Sequence, residues 1–321
     1  MNLIAYIIKR ILKMIPLLIT VSIIGFFLIK ISPVDPLAEL KMNPSISRET
    51  LKTEEQRLGL DKPVTVQYFI WAKNFVRGNF GVCTTGEKVS DKLAERIPNT
   101  LLLTGAVLFF TWLIGIPAGI VAALNRGKPL DWALTIISGI TMAIPSFFLA
   151  LLMLIFAVKT GWFPAGGLTS YNFSGLSIAG KVVDIAKHLV LPVFVLTAVS
   201  FAGLQRQMRA NLLDVLDSEY VKYARATGLS ETKVIVKHAL RNALNPMITL
   251  LGFEFASLLS GAALTEYVFQ YPGLGRLILE AVMKSDINLV MASLMMGTFM
   301  LATGNLIADI LLKITDPRVE S

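Results

Sequence analysis

The stretch Asp214–Pro246, DVLDSEYVKYARATGLSETKVIVKHALRNALNP, is a polar interval between two strongly apolar segments. Its spacing predicts two short helices broken at Gly228. The first carries Leu216, Tyr220 and Tyr223 at helical spacing, with Lys222 and Arg225 turned elsewhere. Gly228 can adopt the left-handed conformation that ends a helix, and Ser230 is placed to cap the next. In the second helix Lys233, Lys237 and Arg241 recur at i, i+4, i+8 as a basic stripe. Beside it runs an apolar arc of Ile235, Val236, Ala239, Leu240 and Ala243. A basic helix pair between apolar segments reads in two ways. It is presented to a partner, or it lies on anionic lipid headgroups.

The flanking sequence is that of a membrane protein. A bilayer crossing takes about 20 mostly apolar residues. Six segments meet that length, over roughly 8–30, 99–124, 132–158, 188–206, 246–268 and 288–312. Composition agrees, since 54% of the 321 residues are hydrophobic and 16% charged, with a mean hydropathy of +0.65. Pro16, Pro117, Pro145, Pro192 and Pro246 fall inside or at the ends of these runs, where kinks are tolerated. Lys and Arg concentrate beside the first segment, around 126–128, through 206–245 and after 312. The positive-inside bias then places both termini and the 206–245 loop in the cytoplasm. That bias accounts for the net charge of +8, and no contiguous basic face with interleaved aromatics points to nucleic acid. Cys83 stands alone, which excludes an internal disulfide framework. Lys9, Arg10 and Lys13 precede an apolar run without an A-x-A-like site, so the first helix is expected to be retained.

Segment 31–97 is expected to form a small extracytoplasmic subdomain. Glu54–Gly59 reads as a helix ending at glycine. Pro63–Arg77 reads as an amphipathic helix along the outer headgroup surface, with Val66, Phe69, Ile70 and Phe75 near one side. Loop 159–187, rich in Gly and Ser, is expected to be irregular.

Enzyme chemistry has no constellation here. His188 and His238 are isolated, with no H-E-x-x-H and no cysteine cluster, so neither a catalytic group nor a metal or other cofactor is expected. There is no G-x-x-x-x-G-K-[ST] phosphate cradle, so any ATP-driven transport must draw its energy from another subunit. Glu254 lies near the middle of the fifth segment, where a charge costs about 2.5–3.5 kcal/mol on insertion scales. It either serves as a counter-charge for a cationic cargo group or hydrogen-bonds another helix or a partner subunit. With Ser257 and Ser260 it marks a candidate translocation path, where small residues also allow close helix approach. Glu266 and Asp309, near the membrane ends, are expected to reach water.

The loop SEYVKYARATGLSETKVIVKHALRNALNP resembles the coupling loop of ATP-binding-cassette importer permeases of the dipeptide, oligopeptide and nickel group. The likeness extends over nearly the whole chain: SPVDP (Ser32–Pro36), LGLDKPVTVQY (Leu58–Tyr68), GNFG (Gly78–Gly81), RIPNT (Arg96–Thr100), IPSF (Ile144–Phe147), GWFPAGG (Gly161–Gly167), YPGLGRL (Tyr271–Leu277) and DPR (Asp316–Arg318). Two positions depart from the pattern. Val34 stands where the family commonly has Gly, and Lys222 and Tyr223 fill the first two places of a Glu-Ala-Ala motif, with Ala224 and Gly228 matching.

The resemblance implies an all-α integral membrane protein with six transmembrane helices in the type I importer permease fold. Its parts would be the first helix (1–30), the extracytoplasmic subdomain (31–97), a permease core (98–313) containing the coupling loop 206–245, and a cytoplasmic tail (314–321). Glu219, Tyr220, Lys222, Tyr223, Ala224, Arg225, Gly228 and Leu229 would form the coupling helix that docks on an ATPase. The implied partners are a second homologous permease, two cytoplasmic ATPases, an extracytoplasmic solute-binding protein and membrane lipids. The implied cargo is a di- or oligopeptide, with nickel, a metal chelate or an oligosaccharide as the alternative within the group. A passive channel or scaffold is the reading from a different class.

Overall fold

The computed structural model describes residues 3–31, 37, 41–42, 46–57 and 59–315. The described elements are α1 (Leu3–Ile31), α2 (Arg48–Arg57), α3 (Val64–Val76), α4 (Val89–Leu124), α5 (Pro129–Ala143), α6 (Ser146–Thr160), α7 (Ile178–Leu216), α8 (Glu219–Ala226) and α9 (Glu231–Lys233). A π-helical turn (Val234–Ala239) leads into α10 (Leu240–Gly261), followed by α11 (Ala263–Val268), α12 (Leu274–Met283) and α13 (Ile287–Thr315). Among the described residues the extended pairing is one isolated antiparallel bridge, Val82–Lys88. The SPVDP and DPR motifs lie outside the described residues.

Among the described residues four helices are long and apolar enough to cross a membrane: α1 from Tyr6, α4, α7, and α13 as far as Ile310. Helices α5 and α6 make a fifth if taken as one bent span, and they meet at 94°. The expected continuous segment 132–158 is therefore two helices. The cause is local. Ile144 precedes Pro145 and is extended (φ −92°, ψ 119°), the conformation that the proline ring imposes on the residue before it. Pro145 then occupies the N-cap of α6.

The core is built on α4 packed along α7. Gly115 and Gly119 form a G-x-x-x-G step on α4, and a Cβ at Gly119 would lie 2.7 Å from both the Gln205 carbonyl oxygen and the Met208 Cβ. Small residues at this spacing let two helix backbones approach closely. Ala123, Leu204, Met208, Leu212, Ala239, Ala243 and Met247 extend this core from α4 and α7 to the π turn and α10. Polar pairs hold α5 on α7. Arg209 donates from Nε and Nη2 to the Asp131 carboxylate at 2.7 and 2.8 Å, and Ser138 donates to Gln205 Oε1 at 2.7 Å. Polar groups removed from water need such partners. Helix α13 packs on α10 and α1, and Arg10 of α1 pairs with Asp309 at 2.9 Å.

Several expectations are corrected. Helix α7 runs from Ile178 to Leu216, well beyond 188–206 in both directions. Its buried stripe Leu204, Met208, Leu212 recurs every four residues and carries the helix past Arg206. Irregular backbone is thus confined to 161–177, with one 3-10 turn at Phe173–Gly175. Helix α2 begins at Arg48 rather than Glu54, and Gly59 follows it with φ +65°. Helix α3 falls within the expected Pro63–Arg77, with Val66, Phe69 and Ile70 exposed on one side, but Phe75 departs from that side. It packs on Trp71, on the side where Tyr68 and Trp71 meet Phe26 of α1 at ring separations of 5.5 and 6.1 Å. Glu266 is 1% exposed and does not reach water.

Candidate functional site

The polar interval folds as a knuckle at the end of α7. Ser218 occupies the N-cap of α8, and its hydroxyl donates to the Val215 carbonyl at 2.5 Å. One face of α8 is buried. Val221 and Ala224 pack with Val234 beyond the turn, against Val215, Leu216 and Leu229. The other face projects outward, with Glu219, Tyr220, Lys222, Tyr223 and Arg225 exposed and Tyr223 at 73%. Of the eight expected docking residues, Ala224 is therefore buried and Leu229 half-buried. Gly228 is exposed at the turn.

Gly228 has φ +80°, and a Cβ there would meet nothing within 4 Å. The glycine serves the left-handed backbone and not close packing. Arg225 closes the turn, with Nη2 2.7 Å from Glu231 Oε1 and Nε 3.2 Å from Oε2. This hydrogen bonding holds the Glu231 carboxyl below its usual value. Lys222 donates to Glu219 at 2.8 Å, and that bond raises the lysine. The Asn242 amide donates to the Tyr220 hydroxyl at 2.9 Å, tying α8 to α10. Ser230 takes the N-cap position of α9 without a side-chain cap bond.

Of the apolar arc expected of the second helix, Ala239 and Ala243 are buried and Ile235 and Leu240 half-buried, but Val236 is 59% exposed. The wider π turn places Val234 and Ala239, five residues apart, in the core. Lys233, Lys237 and Arg241 are exposed.

Glu254 lies apart from the knuckle, half-buried in α10, where Trp112 of α4 donates from Nε1 to its Oε2 at 3.3 Å. This is the helix-to-helix hydrogen bond that was one of its two readings. Beside it Leu108, Phe109, Trp112, Leu113 and Leu251 line an open apolar depression of about 290 Å³. The side chains of Ser257 and Ser260 lie outside the described residues. Among the described residues no group of three or more His, Cys, Asp or Glu is placed to hold a metal ion.

The motifs RIPNT and YPGLGRL, which carry the family resemblance but are given no site role by the sequence, are remote along the chain and join. The Tyr271 hydroxyl donates to the Asn99 carbonyl at 2.7 Å, Asn99 Nδ2 donates to the Pro272 carbonyl at 2.9 Å, and the Leu274 amide donates to Thr100 Oγ1 at 2.7 Å. Glu266 Oε2 accepts the Arg276 amide at 2.8 Å, so a buried carboxylate sits at the N-terminus of α12.

Residues 115–321 match the family model described as binding-protein-dependent transport system inner membrane component, and residues 3–104 match its N-terminal companion. The chain belongs to this family. The oligopeptide transport system permease protein AppB of Bacillus subtilis (strain 168) is 40% identical over 319 residues, covering 98% of this chain and 99% of the relative. The glutathione transport system permease protein GsiC of Escherichia coli (strain K12) is 35% identical over 318 residues, covering 98% of each. The di/tripeptide transport system permease protein DppB of Pseudomonas aeruginosa (strain UCBPP-PA14) is 34% identical over 334 residues, again covering 98% of each. Among solved structures, inward-facing MetNI methionine ABC transporter superposes with a TM-score of 0.57 at 19% identity, over 70% of this chain and 96% of that chain. That likeness shows the fold alone, shared with a chain of an ABC transporter. The chain is a multi-pass transporter permease subunit and not an enzyme, and a permease of this family works with ATPase and binding-protein components.

Proposed function

We propose that this chain is the permease of an ATP-driven peptide importer and that α8 with the Gly228 turn is the element on which a cytoplasmic ATPase seats. One observation carries this reading. Helix α8 is clamped on one face to the end of α7 while its opposite face, led by Tyr223 at 73% exposure, points outward, tied to the rest of the knuckle by the bonds of Tyr220 to Asn242 and Arg225 to Glu231. A helix held in this way passes a displacement to α7 as a rigid body. Glu219, Tyr220, Lys222, Tyr223 and Arg225 would touch the ATPase. Ala224 and Leu229 would fix the helix beneath them, and Gly228 would set its angle. The distribution of Lys and Arg supports cytoplasmic termini and a cytoplasmic knuckle. A second homologous permease completes the path, with two ATPases inside and a binding protein outside. Segment 31–97 forms the extracytoplasmic part, and Glu254 borders the path with Ser257 and Ser260. Relatives named for oligopeptide, glutathione and di/tripeptide transport support a short peptide as cargo.

The test is uptake of labelled di- and tripeptides by proteoliposomes holding the whole complex. ATP-dependent peptide accumulation is expected, together with a cross-link between a cysteine at Tyr223 and an ATPase subunit. Solute movement without nucleotide, or a Tyr223 cross-link only to extracytoplasmic protein, would overturn the reading.

A further inference from the structure

Helix α3 is apolar on two opposite sides. One side, Tyr68, Trp71 and Phe75, is committed to protein. Tyr68 and Trp71 pack on Phe26, Trp71 stacks on Phe75, and Phe75 on Phe80, with ring separations of 5.0 to 6.1 Å. The Tyr68 hydroxyl lies 2.9 Å from the Ser22 hydroxyl. The other side carries Val66 at 41%, Phe69 at 70%, Ile70 at 40% and Val76 at 86% exposure. Lys73 and Arg77 share that side, with stems long enough to carry their charges to an interface.

The contacts with α1 fix the depth of α3. The uncharged run 14–29 of α1, between Lys13 and Lys30, makes about 24 Å of helix, and its midpoint falls between Val21 and Ser22. Set at the bilayer centre, that run places Ser22 about 1 Å, and Phe26 and Phe27 about 7 to 8 Å, past the midplane, all short of the hydrocarbon boundary near about 15 Å. Any tilt of α1 shortens these heights. A helix that touches α1 at Ser22, Phe26 and Phe27 lies beside it below the headgroups, not above it in water. Its exposed apolar side therefore continues the membrane-facing surface of α1, of which only 11% of the span window is buried.

We propose that α3 is a monotopic anchor sunk into the acyl-chain edge of the leaflet at the C-terminal end of α1, with Val66, Phe69, Ile70 and Val76 against lipid. Beyond its uncapped first turn, its backbone polar groups are satisfied within the helix. At its start, Gln67 Nε2 donates to the Lys62 carbonyl at 2.7 Å, which leaves one fewer orphaned group at the water-side end. A helix at this depth is the arrangement by which amphipathic segments bind an interface.

Spin labels attached at Phe69→Cys, and separately at Val66→Cys and Val76→Cys, test this in the whole complex in lipid nanodiscs. Native Cys83 stays unlabelled, because it is 5% exposed and burial pushes its thiol up to about 11. Lys52→Cys on polar α2 serves as the water-exposed reference. At Phe69 and Val76 the expected result is relaxation by oxygen at least severalfold stronger than by a water-soluble nickel chelate, with the reverse at Lys52. Nickel access equal to that at Lys52 would place α3 in water and overturn the proposal. Shielding from both reagents would mean that a protein covers the face, and would overturn it equally. If one cysteine variant fails to assemble, either of the other two decides the question.

Discussion

Arg225 spans the Gly228 turn and grips Glu231, with the shortest approach 2.7 Å. The pair joins the last turn of α8 to the first of α9. Both side chains are more than a third exposed, 39% and 56%, so the pair contributes about 0.2–1 kcal/mol. Glu231 titrates below its usual 4.5 in the folded chain. Its stabilisation is therefore complete at neutral pH and is lost as pH falls below 4.5 through the folded value. Arg225→Ala should lower the thermal midpoint slightly at pH 7 and leave it unchanged once Glu231 is protonated. An equal shift at both pH values would show that the pair does not stabilise the turn.

Gly228 stands in open space, so only its backbone conformation restricts what can replace it. A left-handed residue other than glycine costs about 1–2 kcal/mol, least for Asn. Gly228→Asn should retain most peptide uptake, whereas Gly228→Val should abolish it with membrane insertion intact. Equal uptake by the two variants, at matched expression, would contradict the turn's role.

Ala224 is 6% exposed beneath α8. Ala224→Asp buries a carboxylate with no partner, a change in the class that exceeds about 3 kcal/mol. We expect α8 to detach, ATPase binding to fall at least tenfold, and the protein still to insert. Tyr223→Ala, which disturbs nothing inside, should weaken ATPase binding with the same protease-resistance pattern as the native chain. Undiminished ATPase binding by Ala224→Asp would count against α8 as the docking element.

Glu254 accepts a bond from Trp112 at 3.3 Å. Glutamine keeps an acceptor for that indole, and leucine does not. Glu254→Gln should keep uptake within about threefold of native, while Glu254→Leu should lose tenfold or more, in line with the penalty for an orphaned buried donor. Uptake of free-amine peptides that fails in Glu254→Gln, while uptake of N-acetylated peptides persists, would instead assign the carboxylate to cargo recognition.

Much of this architecture can be read from residue order, because its determinants are local. Gly228 announces its turn, and the apolar runs announce the spans at α1, α4, α7 and α13. The family reading drawn from YPGLGRL, RIPNT and the knuckle is borne out by the relatives. What escapes a local reading depends on distant atoms or on rare backbone. The π turn at Val234–Ala239 breaks the 3.6-residue period and moves Val236 out of the arc in which that period places it. The buried position of Glu266 depends on amides of α12 that its own neighbourhood does not reveal. The inward side of α3 was hidden because both of its sides are apolar, and only Phe26 and Ser22 decide between them.

Helix α7 has 39 residues without a break, Pro192 included, a shaft about 58 Å long. One end abuts the knuckle and the other meets the irregular stretch 161–177. Leverage follows from that length. A swing of about 5° about one end displaces the other by about 5 Å, roughly the pitch of one helical turn. If an ATPase seats on the knuckle as proposed, a small stroke on one side of the membrane would shift whatever borders the opposite mouth.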